Sequence, residues 1–147
     1  MKNTPFKKRI LFVCSGNSCR SQMAEGWART LGGDQIDVLS AGVEAHGIDS
    51  VAIAVMSEVG IDISKQRSKS LGVLPNLSFD CVVTLSERAA DHLRRLGLPW
   101  PVVNLPCESP VPRVIGAPPS LAHYRRVRDV LHVTVSHLLN RWVRHAS

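Results

Sequence analysis

The stretch ILFVCSGNSCRSQMAEGWAR, residues 10–29, decides the fold class of this chain. Its apolar run stops at Cys14, a short polar loop follows, and strong helix formers begin at Arg20. This order predicts a buried strand, a tight loop and the first turn of a helix. Open α/β sheets bind ligands just beyond the carboxyl ends of their strands, and the N–H groups of a helix N-terminus attract anions. The stretch therefore predicts a Cys14 thiolate beside a site for a tetrahedral oxyanion.

The length and composition favour one globular domain. The chain has 147 residues, of which 44% are hydrophobic and 20% are charged, and a chain of this kind buries a sizeable core. We expect a single domain over residues 1–147. The apolar run after the basic start is shorter than a signal-peptide core, and no run approaches the ~18 residues that span a bilayer. The sequence therefore predicts a cytoplasmic protein with no membrane contact.

The four cysteines and the net charge of +6 narrow the range of partners. Without a secretory signal, four cysteines argue against a disulfide framework and favour catalytic or buried thiols. Aromatic residues make up only 5% of the chain, and the basic residues are scattered along it. Nucleic-acid binders combine clustered basic residues with stacking aromatic residues. We therefore interpret the charge as steering for small anions and expect no nucleic-acid partner.

The hydrophobic pattern predicts four strands that alternate with four helices. Apolar runs predict strands at residues 7–13, 36–39, 79–85 and 99–103. Helical spacing and stop signals predict helices at residues 20–31, 50–60, 87–96 and 120–144, and a proline-rich loop precedes the last helix. Repeated β-α-β order requires parallel strands joined by helical crossovers. We therefore predict a three-layer α/β fold, a doubly wound, four-stranded parallel sheet with helices on both faces.

The residue types in the first loop suit an anion cradle. Gly16 lets the backbone aim N–H groups inward, and Asn17 tolerates left-handed geometry. Arg20 can bind two oxygens of an anion at once. Together with the helix dipole, these groups favour the thiolate form of Cys14. The candidate catalytic residues are Cys14, Arg20 and Ser21, and the candidate oxyanion-binding residues are Ser15, Gly16, Asn17, Ser18, Cys19 and Arg20.

Other interpretations of this loop stay open at the level of residue types. Cys14 can also be a buried cysteine at a strand end, beside a loop that only caps a helix. A metal site is disfavoured, because Cys19 is the only potential ligand near Cys14 at a suitable spacing and it points elsewhere along the loop. We therefore expect no metal at this loop.

The segment CSGNSCRSQMAEGWAR (residues 14–29) resembles the phosphate-binding loop of the low-molecular-weight protein tyrosine phosphatase superfamily, and more closely that of its arsenate reductase branch. The similarity continues through SAGVEAHG (40–47), VGIDIS (59–64), FDCVVTL (79–85) and RRVRDVL (125–131). The resemblance implies that Cys14 is the nucleophile and that Arg20 binds the transition state. It also implies that Asn17 and Ser21 support the loop.

The sequence departs from the phosphatase pattern at the general acid. Phosphatases of this family carry Asp-Pro in the loop before the last helix, and the matching pair here is Ser109-Pro110. Glu108 is the nearest substitute and a further candidate catalytic residue, although a displacement of one residue moves a carboxylate by about 3 Å. Loss of general acid catalysis removes a factor of about 10²–10⁴. The resemblance therefore implies slow or absent phosphatase activity.

A second departure concerns the thiols that follow the third strand. Thioredoxin-coupled arsenate reductases carry two further cysteines there, and this chain has Ser86 and Leu93 instead. An arsenate adduct on Cys14 then needs an outside thiol, such as glutathione, mycothiol or a glutaredoxin-like protein, or else another cysteine of the chain. Cys107 is the best internal candidate because it lies in the loop before the last helix, whereas we expect the two remaining cysteines, Cys19 and Cys81, to be packed.

A third departure concerns the support of the loop. Some arsenate reductases of this branch hold a potassium ion beside it through an Asn, a Glu, a Ser and an Asp. The first three match Asn17, Glu25 and Ser40, but Lys69 stands at the Asp position. The lysine ammonium can take the place of the cation and pair with Glu25, or it can be one more solvated charge. We expect loop support from Glu25, Ser40 and Lys69, and no dependence on potassium.

These observations together predict an enzyme in which Cys14 attacks a phosphate-like oxyanion. The first expectation is an arsenate reductase that holds no cofactor and uses an external thiol reductant. The alternatives are a phosphomonoester hydrolase acting on phosphotyrosine and a non-catalytic oxyanion-binding protein. His46 lies in a loop that can flank the pocket, but we expect it to be a polar surface histidine.

Overall fold

The computed structural model describes residues 7–74 and 78–141. Four strands and four helices alternate within them: β1 (Lys8–Cys14), α1 (Arg20–Gly32), β2 (Ile36–Gly42), α2 (Ser50–Glu58), β3 (Cys81–Thr84), α3 (Glu87–Leu96), β4 (Val102–Asn104) and α4 (Leu121–Leu139). Short 3₁₀ turns follow α1 and precede β3, at Gly33–Gln35 and Leu71–Val73. The strands form one parallel sheet in the order β2-β1-β3-β4.

Strand β1 is central, and its side chains alternate between two apolar layers. Ile10 and Phe12 pack into the cluster that contains residues of α1, α2 and α4. Leu11 and Val13 pack into the cluster that contains residues of α3. All four side chains are fully buried, as expected of a parallel strand covered on both faces. The predicted three-layer α/β fold is therefore confirmed.

The observed bounds of β3 and β4 differ from the predicted ones. Strand β3 begins at Cys81 rather than at residue 79, and β4 covers Val102–Asn104 rather than residues 99–103. Proline has no N–H group to donate to a ladder, and Pro101 contributes only its carbonyl oxygen, which accepts from the Val82 N–H at 2.8 Å. The last helix ends at Leu139, with Asn140 as its C-cap, rather than at residue 144, which itself lies outside the described residues.

The carboxyl ends of all four strands meet at one edge of the sheet. Beyond that edge lie the loop between β1 and α1, the segment after β2 and the segment after β4. Gly42, at the end of β2, has to be a glycine, because a Cβ there would lie 2.2 Å from the Glu44 carbonyl oxygen and 2.6 Å from the Asn17 nitrogen. Within the described ranges, no helix combines the length and apolarity needed to cross a membrane.

Candidate active site

The β1–α1 loop, residues 14–20, borders a cavity of about 300 Å³ at this edge of the sheet. No described side chain caps the first turn of α1, so N–H groups of that turn remain to bind an anion. All of the candidate oxyanion-binding residues except Asn17 line the cavity. The full lining is Cys14, Ser15, Gly16, Ser18, Cys19, Arg20, His46, Asp49, Ser109 and Val111.

The carbonyl oxygens of the β1–α1 loop are bound by the segment after β2. Four N–H groups of that segment donate at 2.9–3.1 Å: Val43 to Cys14, Glu44 to Ser15, His46 to Gly16 and Asp49 to Ser18. Asn17 turns the chain between them with a positive φ of 47°, a conformation that asparagine tolerates better than most residues. Because the carbonyl groups are held by this segment, the N–H groups of the loop are left for an anion in the cavity.

Cys14 lies at the end of β1 with only 2% of its surface exposed. Its Sγ is 2.8 Å from Ser21 Oγ. The Ser21 oxygen accepts a hydrogen bond from Asn17 Nδ2 at 2.8 Å, so its own hydrogen is available to Sγ. A hydroxyl group that donates to sulfur stabilises the thiolate form.

Asn17 connects the loop to three neighbouring segments although none of its surface is exposed. Its Nδ2 donates to the hydroxyl oxygens of Ser21 (2.8 Å) and Ser40 (3.0 Å). Its Oδ1 accepts from the Lys69 backbone N–H (2.8 Å) and from Gln22 Nε2 (2.9 Å). A buried amide with both of its ends bonded in this way fixes the conformation around it.

Gln22 is a supporting residue that the sequence analysis missed. Its Nε2 donates to the Asn17 side chain and also to the Arg67 carbonyl oxygen at 3.0 Å. Gln66 completes the arrangement by donating to Gln22 Oε1 at 2.8 Å. The sequence contains no local signal for this role, because a glutamine in the first turn of a helix is an ordinary surface residue and two of its partners, Arg67 and Gln66, lie more than forty residues away.

Arg20 begins α1 and forms part of the cavity wall. Its Nη1 donates to the carbonyl oxygens of Leu85 (3.2 Å) and Cys107 (2.9 Å). These bonds connect the β1–α1 loop to the segments that follow β3 and β4. Both use Nη1, so within the described residues the hydrogens on Nε and Nη2 are left for an anion.

Two residues of the segment after β2 also line the cavity, and the sequence analysis singled out neither as a site residue. His46, expected at the surface, is exposed by 55% on its side chain but lies against Gly16, where a Cβ would meet its Nδ1 at 2.6 Å. Asp49 caps α2 by accepting from the Val51 N–H at 2.8 Å. Its other oxygen accepts from the buried Tyr124 hydroxyl at 2.6 Å, and burial together with this hydrogen bond raises the pKa of Tyr124.

The structure does not bring Glu108 into the cavity, so the expectation that it replaces the missing acid is corrected. Its side chain is 66% exposed, and Oε1 lies 2.9 Å from His123 Nε2. Ser109, the next residue, lines the cavity instead. The contact with His123 of α4 therefore holds the Glu108 carboxylate outside the site, one residue away from the position that lines it.

The expected pair between Lys69 and Glu25 is also corrected. Glu25 is buried and pairs with Arg29 Nη2 at 2.9 Å, and it accepts from the Ser40 hydroxyl at 2.5 Å. Lys69 Nζ donates to the Arg67 carbonyl oxygen at 3.1 Å. Burial lowers the pKa of the Lys69 ammonium, and the nearby Glu25 opposes this. Lys69 supports the loop through its backbone N–H rather than through its charge.

The three other cysteines are free thiols in different surroundings. Cys19 is buried in the β1–α1 loop and Cys81 is buried in β3, whereas Cys107 is half-buried in the segment after β4. Burial raises the pKa of all three thiols. They therefore stay protonated at neutral pH, and a protonated thiol is a poor nucleophile.

Comparisons with known proteins identify the family of the chain. The family model described as low molecular weight phosphotyrosine protein phosphatase matches residues 9–100. An arsenate reductase of Halalkalibacterium halodurans is 54% identical over 85 residues, which make up 58% of this chain and 61% of that protein. The match therefore spans about three-fifths of the length of this curated relative.

Two solved structures extend the likeness over most of the chain. One is described as an arsenate reductase in the phosphate binding state, with 35% identity, a TM-score of 0.74 and coverage of 92% of this chain and 98% of that one. The other is a low molecular weight protein tyrosine phosphatase from T. tengcongensis, with 31% identity, a TM-score of 0.73 and coverage of 92% and 99%. The predicted resemblance is confirmed, and the chain belongs to the low molecular weight phosphotyrosine protein phosphatase family.

Proposed function

We propose that this protein is an arsenate reductase in which Cys14 is the nucleophile and an external thiol is the reductant. The observation that carries the proposal is the contact between Cys14 Sγ and Ser21 Oγ, at the edge of the cavity that the candidate oxyanion-binding residues line. Relatives and structural neighbours named arsenate reductase support the choice of arsenate. In this proposal Arg20 and the N–H groups of Ser15, Gly16, Ser18 and Cys19 bind the oxygens of arsenate.

The reaction has two chemical steps. In the first, the Cys14 thiolate attacks arsenic, a bond between arsenic and oxygen breaks, and that oxygen gains a proton and leaves as water. Arsenic remains pentavalent in the resulting thiol adduct. In the second, a reductant thiolate attacks Cys14 Sγ, and the electron pair of the sulfur–arsenic bond stays on arsenic, which leaves as trivalent arsenite. Cys14 is then in a mixed disulfide, which a further thiol reduces.

The surroundings of Cys14 favour an external thiol over an internal one. Ser86 caps α3 through its hydroxyl oxygen and lies 3.2 Å from the Ser15 hydroxyl, and Leu93 is buried in the apolar core. Neither can relay a disulfide. Cys107, the best internal candidate, is a thiol whose pKa is raised by burial. We therefore propose glutathione, mycothiol or a glutaredoxin-like protein as the reductant and the cytoplasm, where such thiols are kept reduced, as the compartment.

A second candidate function is phosphomonoester hydrolysis, with phosphotyrosine as the substrate. The family match and the structural likeness to a tyrosine phosphatase favour it. Ser109 in the cavity counts against it, because a hydroxyl group cannot protonate a departing alkoxide as a carboxylic acid does. Arsenate exchanges its oxygens more readily than a phosphate ester loses its alkoxide. The absence of an aspartate at position 109 therefore slows arsenate reduction less than it slows ester hydrolysis.

Two assays on the purified protein and on Cys14→Ser separate these functions. The first measures arsenite production from arsenate with each thiol donor in turn, and the second measures hydrolysis of p-nitrophenyl phosphate. We expect arsenite production that requires Cys14 and persists in Cys107→Ser. Ester turnover that requires Cys14, with no arsenite from any donor, would identify a phosphatase. If neither reaction exceeds background while phosphate still binds, the protein is a non-catalytic oxyanion-binding protein.

A further inference from the structure

The His46 imidazole covers one side of the β1–α1 loop. Its backbone N–H donates to the Gly16 carbonyl oxygen at 2.9 Å, which fixes the position of the residue relative to the loop. Its ring lies so close that a Cβ on Gly16 would be 2.6 Å from Nδ1, the nearest ring atom. His46 is one of the residues that line the cavity beside Cys14. An imidazole is therefore held at the wall of the oxyanion site with Nδ1 directed at the loop.

The carboxylate of Glu44 holds this imidazole in place, and Arg88 in turn holds the carboxylate. His46 Nε2 lies 2.7 Å from Glu44 Oε2, and Arg88 Nη2 donates to the other oxygen of Glu44 at 2.9 Å. The hydrogen bonds with His46 and Arg88 lower the pKa of the Glu44 carboxyl group. A carboxylate on Nε2 fixes the ring orientation, so Nδ1 is the ring nitrogen that faces the loop.

The charged and titratable groups around His46 come from three elements. The β1–α1 loop contributes a nucleophile, a thiol and a guanidinium, and the segment before α2 contributes two carboxylates. Helix α3 contributes one guanidinium, and the segment after β4 contributes only the uncharged Ser109 and Val111 to the cavity lining. The charged and titratable members are Cys14, Cys19, Arg20, Glu44, Asp49 and Arg88.

None of the other cavity-lining groups can readily deliver a proton. Asp49 accepts hydrogen bonds on both oxygens, from Val51 and Tyr124, so both oxygens are already occupied as acceptors. Burial raises the pKa of the Cys19 thiol, and the Arg20 guanidinium does not deprotonate in proteins. Imidazole is the side chain that exchanges a proton near neutral pH.

We infer that His46 is the general acid of the first chemical step, and this inference rests on the proposed function. The Cys14 thiolate attacks dihydrogen arsenate, and the bond between arsenic and one hydroxyl oxygen breaks. The Nδ1 proton of the His46 imidazolium passes to that oxygen, which leaves as water. The products are the thiol adduct of pentavalent arsenic, water and a neutral imidazole, so protons and charges balance. His46 thus supplies the proton that an aspartate at position 109 supplies in the phosphatase pattern.

The test compares the intact protein with His46→Gln, which keeps a polar side chain but cannot titrate. Stopped-flow absorbance follows the loss of the Cys14 thiolate when arsenate is added without reductant, so only the first step is measured. We expect the rate constant to fall about 10²-fold or more, while calorimetric titration gives a phosphate affinity within a few-fold of the original. The rate constant of the intact protein divided by that of His46→Gln should fall as pH rises, because only the intact protein has this acid to lose.

His123→Gln is the matched control, because His123 contacts Glu108 outside the cavity, and Cys14→Ser defines the background. A second substrate pair makes the test independent of arsenate. Phenyl phosphate has a poorer leaving group than p-nitrophenyl phosphate, so loss of the acid in His46→Gln should slow the phenyl ester more.

Unchanged rates with unchanged pH dependence in His46→Gln would overturn the inference while leaving the arsenate reductase proposal intact. A loss of phosphate affinity equal to the loss of rate would also overturn it, by assigning His46 to binding. If arsenate leaves Cys14 unmodified but the esters show the expected difference, the general acid stands and the proposed function fails. An intact protein that reacts with neither substrate overturns both.

Discussion

Cys14 Sγ and Ser21 Oγ lie 2.8 Å apart, so the last residue of β1 and the second residue of α1 are in direct contact across the loop that separates them. Asn17 Nδ2 donates to the same Ser21 oxygen. The hydroxyl hydrogen of Ser21 is consequently available to the sulfur. The loop positions the nucleophile and also places a hydroxyl group beside it.

Ser21→Ala removes this donor. A hydrogen bond to a charged group contributes about 1.5–3 kcal/mol, so we expect the rate constant for alkylation of Cys14 by iodoacetamide at neutral pH to fall about tenfold or more. Ser136→Ala, whose hydroxyl donates to the His132 carbonyl oxygen in α4, serves as the control and should leave the rate unchanged. Equal alkylation rates in Ser21→Ala and the intact protein would contradict the assignment.

Arg29→Ala should destabilise the fold more than Lys69→Ala. The first substitution leaves the buried Glu25 carboxylate with Ser40 but without its cation. Breaking a fully buried pair costs about 3–5 kcal/mol, and we expect about 2–3 kcal/mol because water reaches the half-exposed Arg29. Lys69→Ala should lower the free energy of unfolding by no more than about 0.5 kcal/mol, because the backbone N–H that binds Asn17 remains.

Urea denaturation at neutral pH measures both free energies of unfolding. Because Arg29 already balances the charge of Glu25, exchanging sodium for potassium should leave the thermal midpoint of the intact protein unchanged. Equal losses in the two variants, or a clear stabilisation by potassium, would show that Arg29 does not neutralise Glu25.

The parts of the site that the sequence could predict are local ones. The apolar run, the polar loop and the helix formers of residues 10–29 are contiguous, and they suffice to predict the strand, the loop and the start of the helix. The fold class followed from the same alternation along the rest of the chain. Gln22 and Asp49 could not be identified in this way, because their roles depend on partners brought together only by the fold.

The directions in which side chains point also could not be predicted from the sequence. Glu25 has both an i+4 arginine and a distant lysine as potential partners, and the resemblance favoured Lys69, whereas the helix geometry brings Arg29 onto it. Glu108 and Ser109 are neighbours in the sequence, and only the backbone of their segment decides which one lines the cavity. His46 is at the surface, as expected, but its place against Gly16 could not be predicted, since the backbone bond that holds it there has no sequence signature.

Glu58→Gln should alter the acid sensitivity of the protein. Glu58 in α2 binds Arg125 (2.7 Å) and Arg128 (2.8 Å) of α4, and the hydrogen bond with Arg125 is the largest cause that lowers its pKa to about 2. A folded-state pKa below the unfolded value contributes stability above the unfolded pKa, and this contribution disappears as pH falls toward the folded pKa.

The difference in urea midpoint between the intact protein and Glu58→Gln should therefore have its largest value at neutral pH. It should decrease as the pH falls from 4.5 to about 2. Added salt should reduce it as well, because the pair is exposed. Glu87→Gln in α3 is the control, since Glu87 forms no ion pair in the described part of the chain. A difference that stays constant across this pH range would contradict the role of the pair.

Ser109→Asp should convert the protein into a better phosphatase. Ser109 lines the cavity and precedes the buried Pro110, so an aspartate there places a carboxylic acid where the leaving oxygen departs. General acid catalysis contributes a factor of about 10²–10⁴, so in the His46→Gln background, which lacks the resident acid, we expect hydrolysis of phenyl phosphate to rise by about 10²-fold. p-Nitrophenyl phosphate should gain less, because its leaving group needs less protonation. Steady-state kinetics on both esters give the two factors.

Ser109→Asn is the matched control, because asparagine has the shape of aspartate but no acidic proton, and it should give no gain on either ester. If His46 is the resident acid, Ser109→Asp should also recover part of the rate lost in His46→Gln. The pH dependence should then follow the new carboxyl group rather than the imidazole, with activity declining at a lower pH. Equal gains on the two esters, or an equal gain in Ser109→Asn, would mean that position 109 affects binding and does not deliver a proton.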